Sequence, residues 1–215
     1  MRFCQPEGTR GSLKWIQRAV NNKADILQPE GLAKIEWRSP LAKDDYAEYR
    51  DGDFLERLGL EHLKPKLKKF WPPRGPQWDA LGLSSEDPIL VEAKAHIGEF
   101  RSPPSGAKSL ESKDKIKSAF VAVCNDLMVT NGSDWTKVYY QYANRISHLW
   151  WLREQGLDAK LLFVSFLNDD EMSGPKHQKQ WKDVFAEADR ALGLPQTHKL
   201  TKYIHHIYPN VNDIP

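Results

Sequence analysis

Two acids and a lysine stand where this chain otherwise builds apolar strands. Residues 78–83 read Trp-Asp-Ala-Leu-Gly-Leu, residues 84–88 are the turn-like Ser-Ser-Glu-Asp-Pro, and Ile-Leu-Val-Glu-Ala-Lys-Ala-His runs from 89 to 96. Burying Asp79, Glu92 and Lys94 among Leu81, Leu83, Ile89, Leu90 and Val91 is costly unless the charges are paired or met by a metal. Two carboxylates beside an ammonium suit a hard divalent ion: Mg2+ takes oxygen ligands, keeps several waters, and is usually held by one or two carboxylates plus substrate phosphate oxygens. Such an ion polarises a phosphodiester and activates water, and a neighbouring lysine can orient that water or offset charge on the phosphorane.

A β-hairpin would have to position these groups. Each arm is a short apolar run, the residues between are turn formers, and Pro88 can start the second strand. On that strand Glu92, Lys94 and His96 alternate with Val91, Ala93 and Ala95, so the period of two puts the three polar side chains on one face. Asp79 joins them if the loop is centred between Ser85 and Glu86, which sets Asp79 opposite Glu92; a slip of one residue turns it away unless a bulge re-aims it. The competing reading is a solvated cross-strand ladder with Asp79 as an unrelated edge residue.

Asp79 followed by Glu92-Ala93-Lys94 on an apolar strand resembles the PD-(D/E)XK nuclease superfamily, the restriction-endonuclease-like proteins. The proline often written before the aspartate is not adjacent, since Gly75-Pro76-Gln77-Trp78 precedes it. The resemblance implies Mg2+-dependent cleavage of nucleic acid, with Mn2+ as an alternative ion and DNA favoured over RNA. It implies Asp79 and Glu92 as metal ligands and Lys94 as the catalytic lysine. It also implies an additional acid on a helix before the sheet, for which Glu48 and Glu56 are candidates. Glu56 has a structural explanation as the capping-box partner of Asp53, so Glu48 is preferred. Several branches carry a polar helix after the lysine strand, and Gln141 and Arg145 resemble that arrangement. The different-class alternative is a nucleic-acid-binding or protein-interaction module that keeps the fold without cleaving.

Composition agrees with a compact enzyme. The 215 residues are 40% hydrophobic, enough for one large domain with a substantial core. Cys4 and Cys124 lie far apart and outside metal-ligand spacing, which disfavours a disulfide framework or a zinc site and points to a reducing, cytoplasmic setting. No signal-peptide core and no membrane-spanning window is apparent. The net charge of +2 identifies no partner. Local density says more: Lys64, Lys66, Lys68, Lys69 and Arg74 precede the hairpin, and Lys108, Lys113, Lys115 and Lys117 follow it. Lys69 and Arg74 are the candidates for phosphate contact, with Trp71 and Trp78 available for base stacking or core.

Around the hairpin the pattern predicts a helix from Ser12 to about Ile26, an extended piece at Ala33 to Trp37, and helical stretches near Asp44 to Tyr49 and from Asp53 to Leu60. Pro72-Pro73-Arg74-Gly75-Pro76 forms a stiff loop into the first motif strand. A mobile loop is expected from Arg101 to Ala107. Helices are expected at Leu110 to Val129, ended by Asn131-Gly132-Ser133, and at Trp135 to Gln155. A buried strand at Lys160 to Leu167, a helix from Lys176 to Leu192 and a last strand at Tyr203 to Tyr208 complete the chain. The expected architecture is α/β: a three-layer restriction-endonuclease-like fold with a mixed central sheet flanked by helices and an extra N-terminal helix. Residues 1–43 would be an N-terminal extension, 44–167 the nuclease core with a third early strand from Ala33–Trp37 or Ala95–Phe100, and 168–215 a C-terminal helix and strand.

Overall fold

A computed structural model describes residues 1–130 and 132–215. In chain order it contains β1 (Arg2–Phe3), α1 (Gly11–Asn22), β2 (Ile35–Ser39), β3 (Glu48–Tyr49), α2 (Gly52–Arg57), α3 (Lys64–Phe70), β4 (Ala80–Ser84), β5 (Asp87–Lys94), α4 (Ile97–Phe100), α5 (Leu110–Asp126), α6 (Tyr140–Glu154), β6 (Lys160–Ser165), α7 (Gln178–Leu192) and β7 (Ile204–Ile207). Five strands form one mixed sheet in the order β2-β4-β5-β6-β7, antiparallel from β2 to β5 and parallel from β5 to β7. A parallel neighbour requires a crossover, which α5 and α6 supply between β5 and β6, and α7 between β6 and β7.

Period-two alternation splits the sheet's side chains between two apolar clusters. Leu81, Leu90, Leu161 and Phe163 face the layer built by α5, α6 and α7, where Phe120, Ile146, Leu149 and Phe185 are buried. Ala80, Ile89, Val91, Leu162 and Val164 face α1, whose Ile16, Ala19 and Val20 cover them. Glu92 and Lys94 share the parity of Leu90, so the charges emerge at the end of β5 on the α6 side.

The hairpin turns through Ser85 and Glu86 alone, both at positive φ (49° and 73°), between the paired residues Ser84 and Asp87. Two successive left-handed residues give the turn whose twist matches the flanking strands. The ladder ends at Ala80 opposite Val91, which is the register that points Asp79 toward Glu92.

Several boundaries differ from expectation. The stretch near Asp44 to Tyr49 is no α-helix: Asp45 and Tyr46 take positive φ (51° and 48°), and Glu48–Tyr49 pairs with β1. The third early strand is Ile35–Ser39, whereas Ala95–Phe100 enters the short helix α4. Residues 134–139 delay the start of α6, because the Asp134 carboxylate accepts from the Thr136 N–H and hydroxyl and holds a turn. The basic segment before the hairpin is helical, with a proline in its first turn, where a missing N–H costs nothing. The first residue of the Asn131-Gly132-Ser133 stop lies outside the described residues. Helix α7 ends at Gly193, whose φ of 70° is the left-handed conformation glycine takes at little cost. No described helix is long and apolar enough to cross a membrane.

Candidate functional site

The end of β5 places Glu92 between two cations. Its Oε1 lies 2.5 Å from Lys94 Nζ, and its Oε2 accepts from Arg145 Nε at 2.5 Å. Glu92 and Arg145 are only 4% and 5% exposed, so neither charge relies on bulk water. The arginine is fixed at its other corners: Nη1 donates to Asn144 Oδ1 and Nη2 to the Gln77 carbonyl, both at 2.8 Å, with the guanidinium carbon 4.9 Å from the Trp78 ring centre. His148, nearly one turn further along α6, is buried as well.

Asp79 sits just outside the ladder, its N–H donating to the Val91 carbonyl and its Oδ2 accepting from the Ala93 N–H at 2.7 Å. That bond draws the carboxylate to the Glu92 side of β5. Among the described residues its Oδ1 accepts no hydrogen bond. Glu48 arrives from β3, buried, with Oε2 accepting from Gln5 Nε2 at 2.8 Å and Gln77 Nε2 at 2.5 Å. Gln77 thus ties Glu48 to Arg145 through its side chain and its carbonyl.

The electrostatics separate the acids. Burial, then the Glu92 charge, push the Asp79 carboxyl well above the usual range against the pull of Lys94. Burial also raises Glu48, against the hydrogen bonds from Gln77 and Gln5. Burial works against ionised Glu92 too, but Arg145 and Lys94 outweigh it and hold this carboxyl below its ordinary value. Lys94 is disfavoured by burial yet raised by Glu92 and Asp79. Three carboxylates therefore face two cations, a site short of positive charge.

Among the described residues no group of three or more His, Cys, Asp or Glu side chains is disposed to hold a metal ion. Lys94 and Arg145 occupy both oxygens of Glu92. The donors are nevertheless all carboxylate oxygens, and Asp79 with Glu92 would be a sufficient protein share for an ion that draws its other ligands from water and phosphate.

Arg145 and Gln77 also line an open cleft of about 340 Å3, with Arg50, Arg74, Gln141 and Asn144. Its lining holds three arginines and no acid. Of the predicted contact residues, Arg74, Gln141 and Arg145 meet there, whereas Lys69 is exposed on α3 and does not line this cleft. Glu56 is exposed and pairs with Lys64, making no capping box. His96 leaves the acids and lies 3.5 Å from Glu99. Sequence reasoning missed Gln5 and Gln77. Gln77 had a signal, standing two residues before Asp79; Gln5 had none, since its role rests on the pairing of β1 with β3.

No protein-family model matches the chain, and neither a curated protein nor a solved structure does.

Proposed function

We propose that the protein is a metal-dependent nuclease of the PD-(D/E)XK type that hydrolyses phosphodiester bonds of nucleic acid, DNA in preference to RNA. The observation that carries this reading is the convergence of Asp79, Glu92 and Lys94 at the ends of adjacent strands, beside an arginine-lined cleft. The strand order β2-β4-β5-β6-β7 is compatible with the αβββαβ core of the restriction-endonuclease-like fold.

Asp79 and Glu92 would hold Mg2+, and Glu48 adds negative charge from β3. Bound there, the ion supplies Lewis-acid polarisation of the phosphodiester and an activated water. The residues themselves orient and neutralise. The Lys94 ammonium donates toward the oxygens on which charge builds, in a setting of low dielectric that strengthens the interaction. Arg145 links the site to the cleft, where Arg50 and Arg74 meet phosphates and the glutamines supply neutral donors.

A second reading, a binding module that does not cleave, is favoured by one observation: a cation holds each Glu92 oxygen. The two separate in a panel of labelled single- and double-stranded DNA and RNA with Mg2+ or Mn2+. The nuclease reading expects cleavage that Asp79→Ala and Lys94→Ala reduce by at least about a hundredfold, as loss of a transition-state donor does. Binding without cleavage under any divalent ion sinks it and leaves the module.

A further inference from the structure

A second cleft, of about 570 Å3, lies on the other side of the Pro72–Gly75 loop, within the roughly 300–1,000 Å3 of small-ligand sites. Gly75 lines both clefts, so the loop is the wall between them. The chemistry changes across that wall. The first side has three arginines and no acid; the second mixes Lys64, Lys68 and Lys115 with Asp51, Asp53 and Glu111 around the apolar walls of Trp71, Pro72 and Pro73, with His148 and the Asp51 carboxylate at Gly75.

His148 is 1% exposed and packs its ring 4.8 Å from that of Trp71. Its Nδ1 donates to the Asn144 carbonyl at 2.8 Å, which leaves Nε2 as an acceptor. Burial pushes its pKa down to about 3, so the ring is neutral across the physiological range. Among the described residues Nε2 has no hydrogen-bond partner, and it lies 3.6 Å from where a Cβ on Gly75 would stand. Nε2 is not one of the buried side-chain atoms cut off without a partner, so this acceptor opens onto the cleft that His148 lines. Asp51 adds acceptor oxygens, though it also accepts from the N–H groups of Arg74 and Gly75 and so fixes the loop. At the rim, Lys68 has no acidic partner among the described residues.

We propose that this cleft receives one unpaired nucleobase, read by a hydrogen bond from its N–H edge to Nε2 of His148 and enclosed by Trp71 and the two prolines. The inference rests on the nuclease reading for its strand, whose phosphates occupy the arginine-lined cleft while the base crosses to the far side of Gly75. Acceptors at the floor select a base edge rather than a phosphate, and aromatic and proline walls suit a flat ring. The substrate class is thus single-stranded or locally unpaired nucleic acid.

The test is binding in EDTA, where cleavage is silent, by fluorescence anisotropy of labelled ten-nucleotide single strands carrying one abasic site at successive positions. The expected result is one position at which base removal weakens binding by about tenfold, the scale of a lost stacked base. His148→Phe, which keeps the aromatic packing, should bind the intact strand as weakly as wild type binds that abasic strand. In a second arm, saturation-transfer NMR with a nucleoside monophosphate should mark base protons in wild type. Tight binding with every abasic position tolerated overturns the base pocket and leaves the nuclease reading standing. If the monophosphate binds but none of the single strands does, the strand path is overturned, and no binding of either overturns both. The abasic scan uses wild-type protein, so its outcome does not depend on whether a variant folds.

Discussion

Replacing Arg145 with methionine tests whether the Glu92 pair is what the geometry says it is. The side chain is buried, forms a 2.5 Å ion pair, donates two further hydrogen bonds at 2.8 Å and faces the Trp78 ring. Breaking a buried pair from one side costs about 3–5 kcal/mol, because the remaining charge stays in place without its partner. Methionine recovers part of the packing, so Arg145→Met should lose about 3–4 kcal/mol at pH 7, or roughly 6–16 °C in Tm for a chain of this size. In a Glu92→Gln background the same replacement removes only hydrogen bonds to uncharged acceptors and should cost about 1–2 kcal/mol, leaving a coupling of about 2 kcal/mol. The pH dependence has a definite sign. Glu92 is held below its ordinary pKa in the folded state, so its pair contributes fully above the unfolded carboxylate value, near 4.3, and is lost as pH falls through the lower folded value. The cost of Arg145→Met should therefore shrink on acidification below about pH 4.3. Urea denaturation of the four proteins at pH 7 and in that acid range measures all of this. A coupling under about 0.5 kcal/mol, or a cost that does not change with pH, would refute the reasoning.

Four other outcomes are expected. Asp79→Asn keeps an oxygen for the Ala93 N–H while removing a charge whose pKa is raised by burial and Glu92, so it should raise stability at pH 7 by about 0.5–2 kcal/mol as it abolishes cleavage; thermal melts check the sign. Added Mg2+ should raise the wild-type Tm in a concentration-dependent way and leave Asp79→Asn unmoved, as linkage to a folded-state site requires. Phe163→Ala empties a position 2% exposed, with Tyr142, Phe185 and His206 rings within 5.1–5.2 Å, and should cost about 3–5 kcal/mol in urea. Burial lowers His206 to about 4, so the unfolded chain binds the extra proton and stability falls as pH drops from 6.5 toward 4; His206→Phe should flatten that slope by up to about 1.4 kcal/mol per pH unit.

The charge count explains why the acids are held so differently. With three carboxylates against Lys94 and Arg145, one acid must lack a cation of its own. Glu92 takes both cations, Asp79 receives a backbone N–H, and Glu48 is left with two neutral amides. Neutral donors stabilise an ionised carboxylate less than an ion pair does, which is why burial prevails at Glu48 and Asp79 but not at Glu92. A divalent cation would reverse this ordering by relieving the two acids that have no partner cation. The metal-binding expectation thus rests on Asp79 as much as on Glu92, and the Tm response of Asp79→Asn is its sharpest measure.

What was legible in the sequence is what local rules decide. The two-residue turn at Ser85-Glu86 sets the register, and the register sets the faces of Glu92, Lys94 and Asp79. Apolar periodicity marked α5, α7 and β6 to within a few residues at most ends. Glu48 was legible as an acid but not as a strand residue, because its β pairing is made with Phe3, far away in sequence. Arg145 was legible as a candidate contact residue but not as the buried partner of Glu92. Helical spacing placed it beside Gln141 and His148, but only the packing of α6 against the end of β5 decides that this stripe faces inward. Periodicity assigns residues to a common face; whether that face meets water or a buried carboxylate depends on contacts that form only when the sheet and its crossover helices assemble.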